Sequence, residues 1–175
     1  MLIRQERPTD LDRIDEIHDA AFAPMYPDGT PVEAALVRAL RADPGWVPAL
    51  SLVAEDRADG SGSVVGHVVC TEASIGDATT LGLGPLGVLP EHQADGVGGA
   101  LMHAVLGAAD ALGYPVVVLL GHPDYYPRFG FVPAASIGIE PTEPAWAPHF
   151  QARPLRAWTP GLRGTFRYAA PFDAL

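Results

Sequence analysis

Residues 81–101 read LGLGPLGVLPEHQADGVGGAL, and this stretch restricts the fold more than any other. Its first part is apolar enough for a buried strand, yet Gly82, Gly84 and Gly87 dilute it and Pro85 removes a ladder donor. Such a strand is expected to bulge, or to leave backbone free for another partner. After the glycines, Leu101, Met102, Val105, Leu106, Ala109 and Leu112 recur on one helical face, which stops at Gly113. A helix N-terminus holds about four N–H groups without partners and a partial positive charge. Glycines there let an anion approach those donors. The order strand, glycine turn, helix therefore predicts a phosphate site, or else only a tight strand-to-helix turn.

The flanking sequence sets this unit in a mixed α/β domain. A short strand is expected at 2–7. A helix follows from Thr9, a candidate N-cap with Asp12 three residues on, and carries Leu11, Ile14, Ile17, Ala21 and Phe22. A second helix is expected over 31–42 with a stripe of Val32, Ala35, Leu36, Ala39 and Leu40. Strands are expected at 47–56 and 63–75, joined by the turn sequence RADGSG, and then at 81–90. A strand at 115–120, a short helix or turn in GHPDYYPRFGFVPA, a strand at Phe131 and a last strand over 162–172 complete the chain. No repeat or linker divides it, so residues 1–175 are expected to form one domain, a size that can bury a core of its own.

Composition excludes several classes. The formal net charge of −10 opposes nucleic-acid binding, which needs clustered Lys and Arg, and leans towards a basic acceptor. No apolar run reaches the ~18 residues of a membrane span. The N-terminus is charged from Arg4 and has no apolar core of a secretion signal. With Cys70 as the single cysteine, a cytoplasmic location is expected, and Cys70 reads as a packing residue in its strand. No metal site is expected.

Two familiar phosphate loops fail. A Walker loop needs a lysine that is missing here, and a dinucleotide fingerprint from Gly96 would need a small residue where Leu101 stands. The stretch VLPEHQADGVGGALM instead resembles the acyl-CoA-binding signature of the GNAT N-acetyltransferase superfamily, through Gln93, Gly96 and Gly98 preceded by Val88 and Pro90. Downstream, YYPRFGF resembles the family's second motif at Tyr126, Gly130 and Phe131. The similarity runs from Arg4 to Phe172 and is nearest to the bacterial subgroup called YhbS-like predicted acetyltransferases.

The resemblance implies a GNAT fold, with a mostly antiparallel sheet splayed at an acyl-CoA site. It implies that acetyl-CoA is the cofactor. Its pyrophosphate would rest on the amides of Ala94, Asp95, Gly96, Val97, Gly98 and Gly99, with Gln93 opening the motif. Its pantetheine arm would pair with Leu86, Gly87 and Val88. Asp95 departs from the small or basic residue often found there. Its carboxylate is harmless if it faces solvent and repels a pyrophosphate if it faces inward.

The implied reaction is direct attack of a primary amine on the thioester. The Val88 N–H would polarise the carbonyl, and Tyr126 would protonate the departing thiolate, with Tyr125 as its local competitor. Asp124 could cap the turn that carries Tyr126. The base is the least defined part. Glu72 is the nearest carboxylate, or else a solvated strand-end residue; His67 reads as a core histidine. Met25, Tyr26 and Trp146 are candidate pocket residues, and Arg128 is a surface or phosphate-facing cation. The acceptor is a small-molecule or protein amine, and a homodimer is common in the family. A non-catalytic acyl-CoA-binding module and a purely structural domain are the competing readings.

Overall fold

The computed structural model describes residues 1–57 and 62–174. The expected turn at 57–62 falls mostly outside the described residues. Strand β1 (Leu2–Gln5) is followed by helices α1 (Leu11–Phe22) and α2 (Glu33–Arg41). Three long strands come next, β2 (Trp46–Asp56), β3 (Ser63–Ile75) and β4 (Ala78–Val88). Helix α3 (Val97–Ala111) leads to β5 (Val116–Leu120). The chain closes with β6 (Val132–Pro133), β7 (Ile139–Glu140), β8 (Phe150–Pro154) and β9 (Gly164–Arg167). Among the described residues the sheet order is β1-β2-β3-β4-β5-β8-β6, with β9 joining β3 and β7. Among the described residues only the β4–β5 and β7–β9 pairs are parallel. This is the mixed, mostly antiparallel α/β sheet expected from the sequence.

The two faces of the sheet are covered differently. Residue 66 lies under Val97 and Leu101 of α3, whereas residue 87 lies under Ile17 and His18 of α1. One core cluster joins these helices to β2, β3 and β4. A second, with Val116, Val118, Phe150 and Phe166, seals the far end of the sheet beneath the C-terminal segment.

Local structure departs from expectation at several points. The N-cap of α1 is Asp10 and not Thr9, and its carboxylate makes no cap bond to α1: it accepts the Arg7 N–H at 2.7 Å, closing the preceding 3-10 turn Pro8–Asp10, and is gripped by Arg4. The α2 stripe is rotated to Ala34, Leu36, Val37 and Leu40, leaving Val32, Ala35 and Ala39 exposed. Alanines weigh little in a burial contest, so the larger Val37 sets the face. Leu112 lies beyond α3 and is exposed. The last strand shrinks to Gly164–Arg167, and Ala170–Ala174 forms a 3-10 turn that contains Pro171. Strand β8 was hidden among the prolines of the 141–161 segment, yet it pairs along the whole of β5.

Candidate functional site

Strand β4 bulges where its glycines and proline predict. Val68 faces Leu86 but Cys70 faces Leu83, so β4 carries one extra residue at Gly84–Pro85. On its other side β4 meets β5 at only two positions, Leu81↔Val117 and Gly82↔Val118. Beyond them the two strands diverge, and residues 83–88 have no partner strand on that side among the described residues.

Strand alternation says which groups the divergence leaves free. The Leu89 N–H donates to the Val65 carbonyl at 3.0 Å, so Leu89 is turned towards β3. In an antiparallel ladder alternate residues turn the opposite way. Gly87 therefore turns its N–H and C=O to β3, while Leu86 and Val88 turn theirs into the opening. The Val88 carbonyl is met there by the Gln93 side-chain amide at 3.0 Å. Gly87 has its own reason for being glycine: a Cβ at this position would stand 2.8 Å from His18 Nδ1.

The turn at the end of β4 is a 3-10 turn, Pro90–His92, followed by Gln93 and then by Ala94 with φ of 66°. Gly96 caps α3 with φ of 83°, a conformation that costs most residues free energy and costs glycine little. The first helical bond runs from the Ala100 N–H to the Gly96 carbonyl, which leaves the amides of Val97, Gly98 and Gly99 without helical partners. Among the described residues, chain neighbours and the helix's own backbone apart, no atom stands within 4 Å of where a Cβ would project from Gly96 or Gly99. From Gly98 a Cβ would point at the Tyr125 hydroxyl, 3.2 Å away, and at the Val88 side chain. Asp95 is exposed and lines a separate small pocket with Met1, Asp56 and His92.

Facing this turn is an open cavity of about 680 Å³ lined by Met25, Gln93, His122, Asp124, Tyr125, Tyr126 and Arg128. The 3-10 turn Tyr126–Phe129, closed by Gly130, places both tyrosines there. Tyr126 lies against Gly121 and Phe131, and its hydroxyl makes no hydrogen bond among the described residues. Burial, with a contribution from Tyr125, pushes its pKa up to about 12. The Arg128 guanidinium sits 4.7 Å from the Tyr125 ring centre and donates to the Tyr125 carbonyl at 2.9 Å, adding positive charge beside the glycine turn.

Other expected residues lie elsewhere. The Glu72 carboxylate accepts the Tyr114 hydroxyl at 2.7 Å. Tyr114 lies just past the C-terminus of the fifteen-residue α3, about 22 Å of helix from the glycine turn. Glu72 does not line the cavity that holds Tyr126. Asp124 does not cap the tyrosine turn; its own N–H is bound to His122 Nδ1. Tyr26 donates to Glu33 at 3.1 Å, and Trp146 packs on Tyr168 in a different pocket. Cys70 is fully buried, and burial pushes its thiol well up. Among the described residues no helix is long and apolar enough to cross a membrane, and no cluster of His, Cys, Asp and Glu could hold a metal.

Sequence reasoning passed over Tyr125 as the group above Gly98, and over His18. His18 follows Ile14 and Ile17 on the apolar stripe of α1, a position where a buried histidine could have been suspected.

Residues 48–133 match the model of an acetyltransferase (GNAT) domain. The chain is 34% identical over 157 residues to the uncharacterized N-acetyltransferase YhbS of Escherichia coli K12, covering 89% of this chain and 87% of that protein. It is 38% identical over 131 residues to the uncharacterized N-acetyltransferase YjhQ of the same organism, covering 73% and 67%. The crystal structure of Escherichia coli YhbS in complex with CoA superposes with a TM-score of 0.86 at 31% identity, over 98% of this chain and 91% of that one. A GNAT family acetyltransferase from Brucella melitensis in complex with acetyl-CoA gives 0.79 at 36% identity, over 98% and 97%. Matches of this extent, on a splayed β4 followed by a glycine turn, place the chain in the GNAT acetyltransferase family.

Proposed function

We propose that this protein moves an acetyl group from acetyl-CoA to a primary amine by direct attack within a ternary complex. The observation that carries the reading is the one-sided pairing of β4 beside a glycine turn whose amides are free. The pyrophosphate belongs on the amides at 94–99, close to Arg128. The pantetheine arm then runs along the open edge of β4, meeting Val88 before Leu86. By that order Val88 pairs with the arm and the Leu86 N–H reaches the thioester oxygen, one alternate residue further along than the sequence suggested. Gly87 supports the site from behind. Exposed Asp95, directed to a separate pocket, is compatible with a bound phosphate.

Tyr126 is the proposed acid. Its high pKa keeps it neutral near pH 7, its hydroxyl is free, and it lines the cavity beside the turn. The cavity opens towards Met25, which makes the α1–α2 connection one wall of the acceptor site. A cytoplasmic location and a homodimer remain part of the proposal. Engagement of Glu72 by Tyr114 favours a second reading, a module that binds acyl-CoA without catalysis.

A thermal shift with acetyl-CoA, CoA and NAD, followed by free-thiol release with a panel of amines, tests both. A ligand at 100 times its Kd adds about 2.7 kcal/mol, a shift of several degrees for a domain of this size. Stabilisation by both CoA forms and not by NAD, with thiol release, supports the transferase. Stabilisation with no release from any amine supports the binding module.

A further inference from the structure

Beneath α1 lies a chain of polar side chains that the roles above do not use. His18 Nε2 and His67 Nδ1 are 2.8 Å apart, and both rings are fully buried. His67 Nε2 is 2.9 Å from Ser51 Oγ. The Ser51 hydroxyl donates to Glu6 Oε2 at 2.6 Å, and Arg41 donates to both Glu6 oxygens at 2.9 and 3.1 Å. Glu6 and Arg41 line a surface pocket of about 210 Å³ with Arg7 and Trp46. The chain thus runs from the face of β4 at Gly87 to the surface pocket at Glu6.

Its proton positions follow from counting donors. Burial opposes the Glu6 charge, but hydrogen bonds from His67, Arg41 and Ser51 outweigh it and hold its pKa down to about 2, so the carboxylate is ionised. Ser51 has one proton, and Glu6 takes it. Ser51 can then only accept from His67, whose proton is therefore on Nε2. Neutral His67 must accept at Nδ1, so His18 donates from Nε2. His18 Nδ1 is left as a lone pair, and among the described residues it has no hydrogen-bond partner. Both rings are kept neutral. Burial lowers the His18 pKa, helped by His67 and Arg41. Burial also lowers the His67 pKa, with Arg41 adding and Glu6 and Asp10 opposing. A basic nitrogen buried without a partner among the described residues is costly, which makes it a candidate for function rather than packing.

That nitrogen stands over Gly87, between the two residues whose backbones face the β4–β5 opening. Glycine leaves no side chain between the ring and the strand. We infer that His18, His67, Ser51 and Glu6 form a proton wire that accepts the attacking amine's proton at His18 Nδ1 and delivers it to Glu6 at the surface pocket. The inference rests on the transferase reading and supplies the base which that reading lacks. As the amine nitrogen bonds to the acetyl carbon and the carbon–sulfur bond breaks, the nitrogen's surplus proton passes to His18 Nδ1. The Nε2 proton of His18 moves to His67 Nδ1, that of His67 Nε2 to Ser51, and that of Ser51 to Glu6, which releases it to solvent. The thiolate is protonated by Tyr126, which is recharged from solvent.

His18→Gln is the discriminating variant, because the amide still donates to His67 but offers no basic nitrogen. With the best amine found, kcat at pH 7 is expected to fall ~10²-fold. The KM for acetyl-CoA should stay within about twofold, and the deficit should narrow at high pH as solvent base takes over. Ser51→Ala, a smaller change should His18→Gln fail to fold, should lower kcat with the same pH signature. Nitrogen-15 shifts of the resting protein should show Nε2–H on both His18 and His67, whether or not an acceptor is known. A folded His18→Gln enzyme with unchanged kcat and pH profile, or the opposite tautomers, overturns the wire alone. A wild-type protein that binds acetyl-CoA and acetylates no amine removes the transferase reading, and the wire's task with it.

Discussion

The two halves of β4 solve opposite problems within one strand. At Leu81 and Gly82 the backbone is paired on both sides, to β3 and to β5, and Leu81 is fully buried. At Leu86 and Val88, which stand opposite Val68 and Gly66, the N–H and C=O groups turn away from β3 towards the side from which β5 has diverged, and among the described residues only the Val88 carbonyl is met there, by Gln93. The bulge at Gly84–Pro85 separates the halves and resets which groups face outward. Unpaired backbone beside an apolar core is a free-energy cost that a closed ladder avoids. The contrast teaches that the closed half holds the fold and the open half is kept for a ligand with its own hydrogen-bonding groups.

The sharpest way to break this contrast is to damage each half separately. Gly98→Glu introduces a bulky anion at the free amides, while the buried face of α3 is left intact at Val97, Leu101, Met102 and Val105. Acetyl-CoA binding is expected to be lost in calorimetry, with the cooperative unfolding transition retained. Leu81→Ala should do the reverse, costing about 2–5 kcal/mol in urea unfolding while leaving the Kd for acetyl-CoA within about twofold. If Leu81→Ala weakened binding as much as Gly98→Glu, the halves would not be separate. Tyr126→Phe probes chemistry beside the open half and should lower kcat ~10²-fold with little change in cofactor affinity. The smallest effect belongs to Asp95→Asn, expected to change acetyl-CoA affinity less than about threefold because the carboxylate is exposed; a tenfold gain would mean that it faces the phosphates.

The open half was the more legible one. Glycine and proline are strong signals because they act through the backbone, so the bulge, the free edge and the turn could all be read before any contact was known. The placement of Tyr126 was legible through its motif. Contacts across the sheet were not legible. Nothing in the sequence says that Gly87 is glycine because His18 lies on it, or that Glu72 is held by Tyr114, since these pairs are 69 and 42 residues apart. The α2 face was misjudged because alanines fit either side of a helix, and β8 because prolines mask a five-residue strand. The chain Glu6–Ser51–His67–His18 joins the residue after β1 to β2, β3 and α1, and only the fold brings it together.

Acetyl-CoA is expected to fill the hydrogen-bonding positions that Leu86 and the Val88 N–H leave open on β4. Residue-resolved amide exchange with and without acetyl-CoA tests it most directly. Gly87 is expected to be protected in both states, whereas Leu86 and Val88 should exchange readily alone and become protected when acetyl-CoA is added. Equal protection of all three residues in the free protein, or no slowing at 86 and 88 with saturating acetyl-CoA, would contradict it.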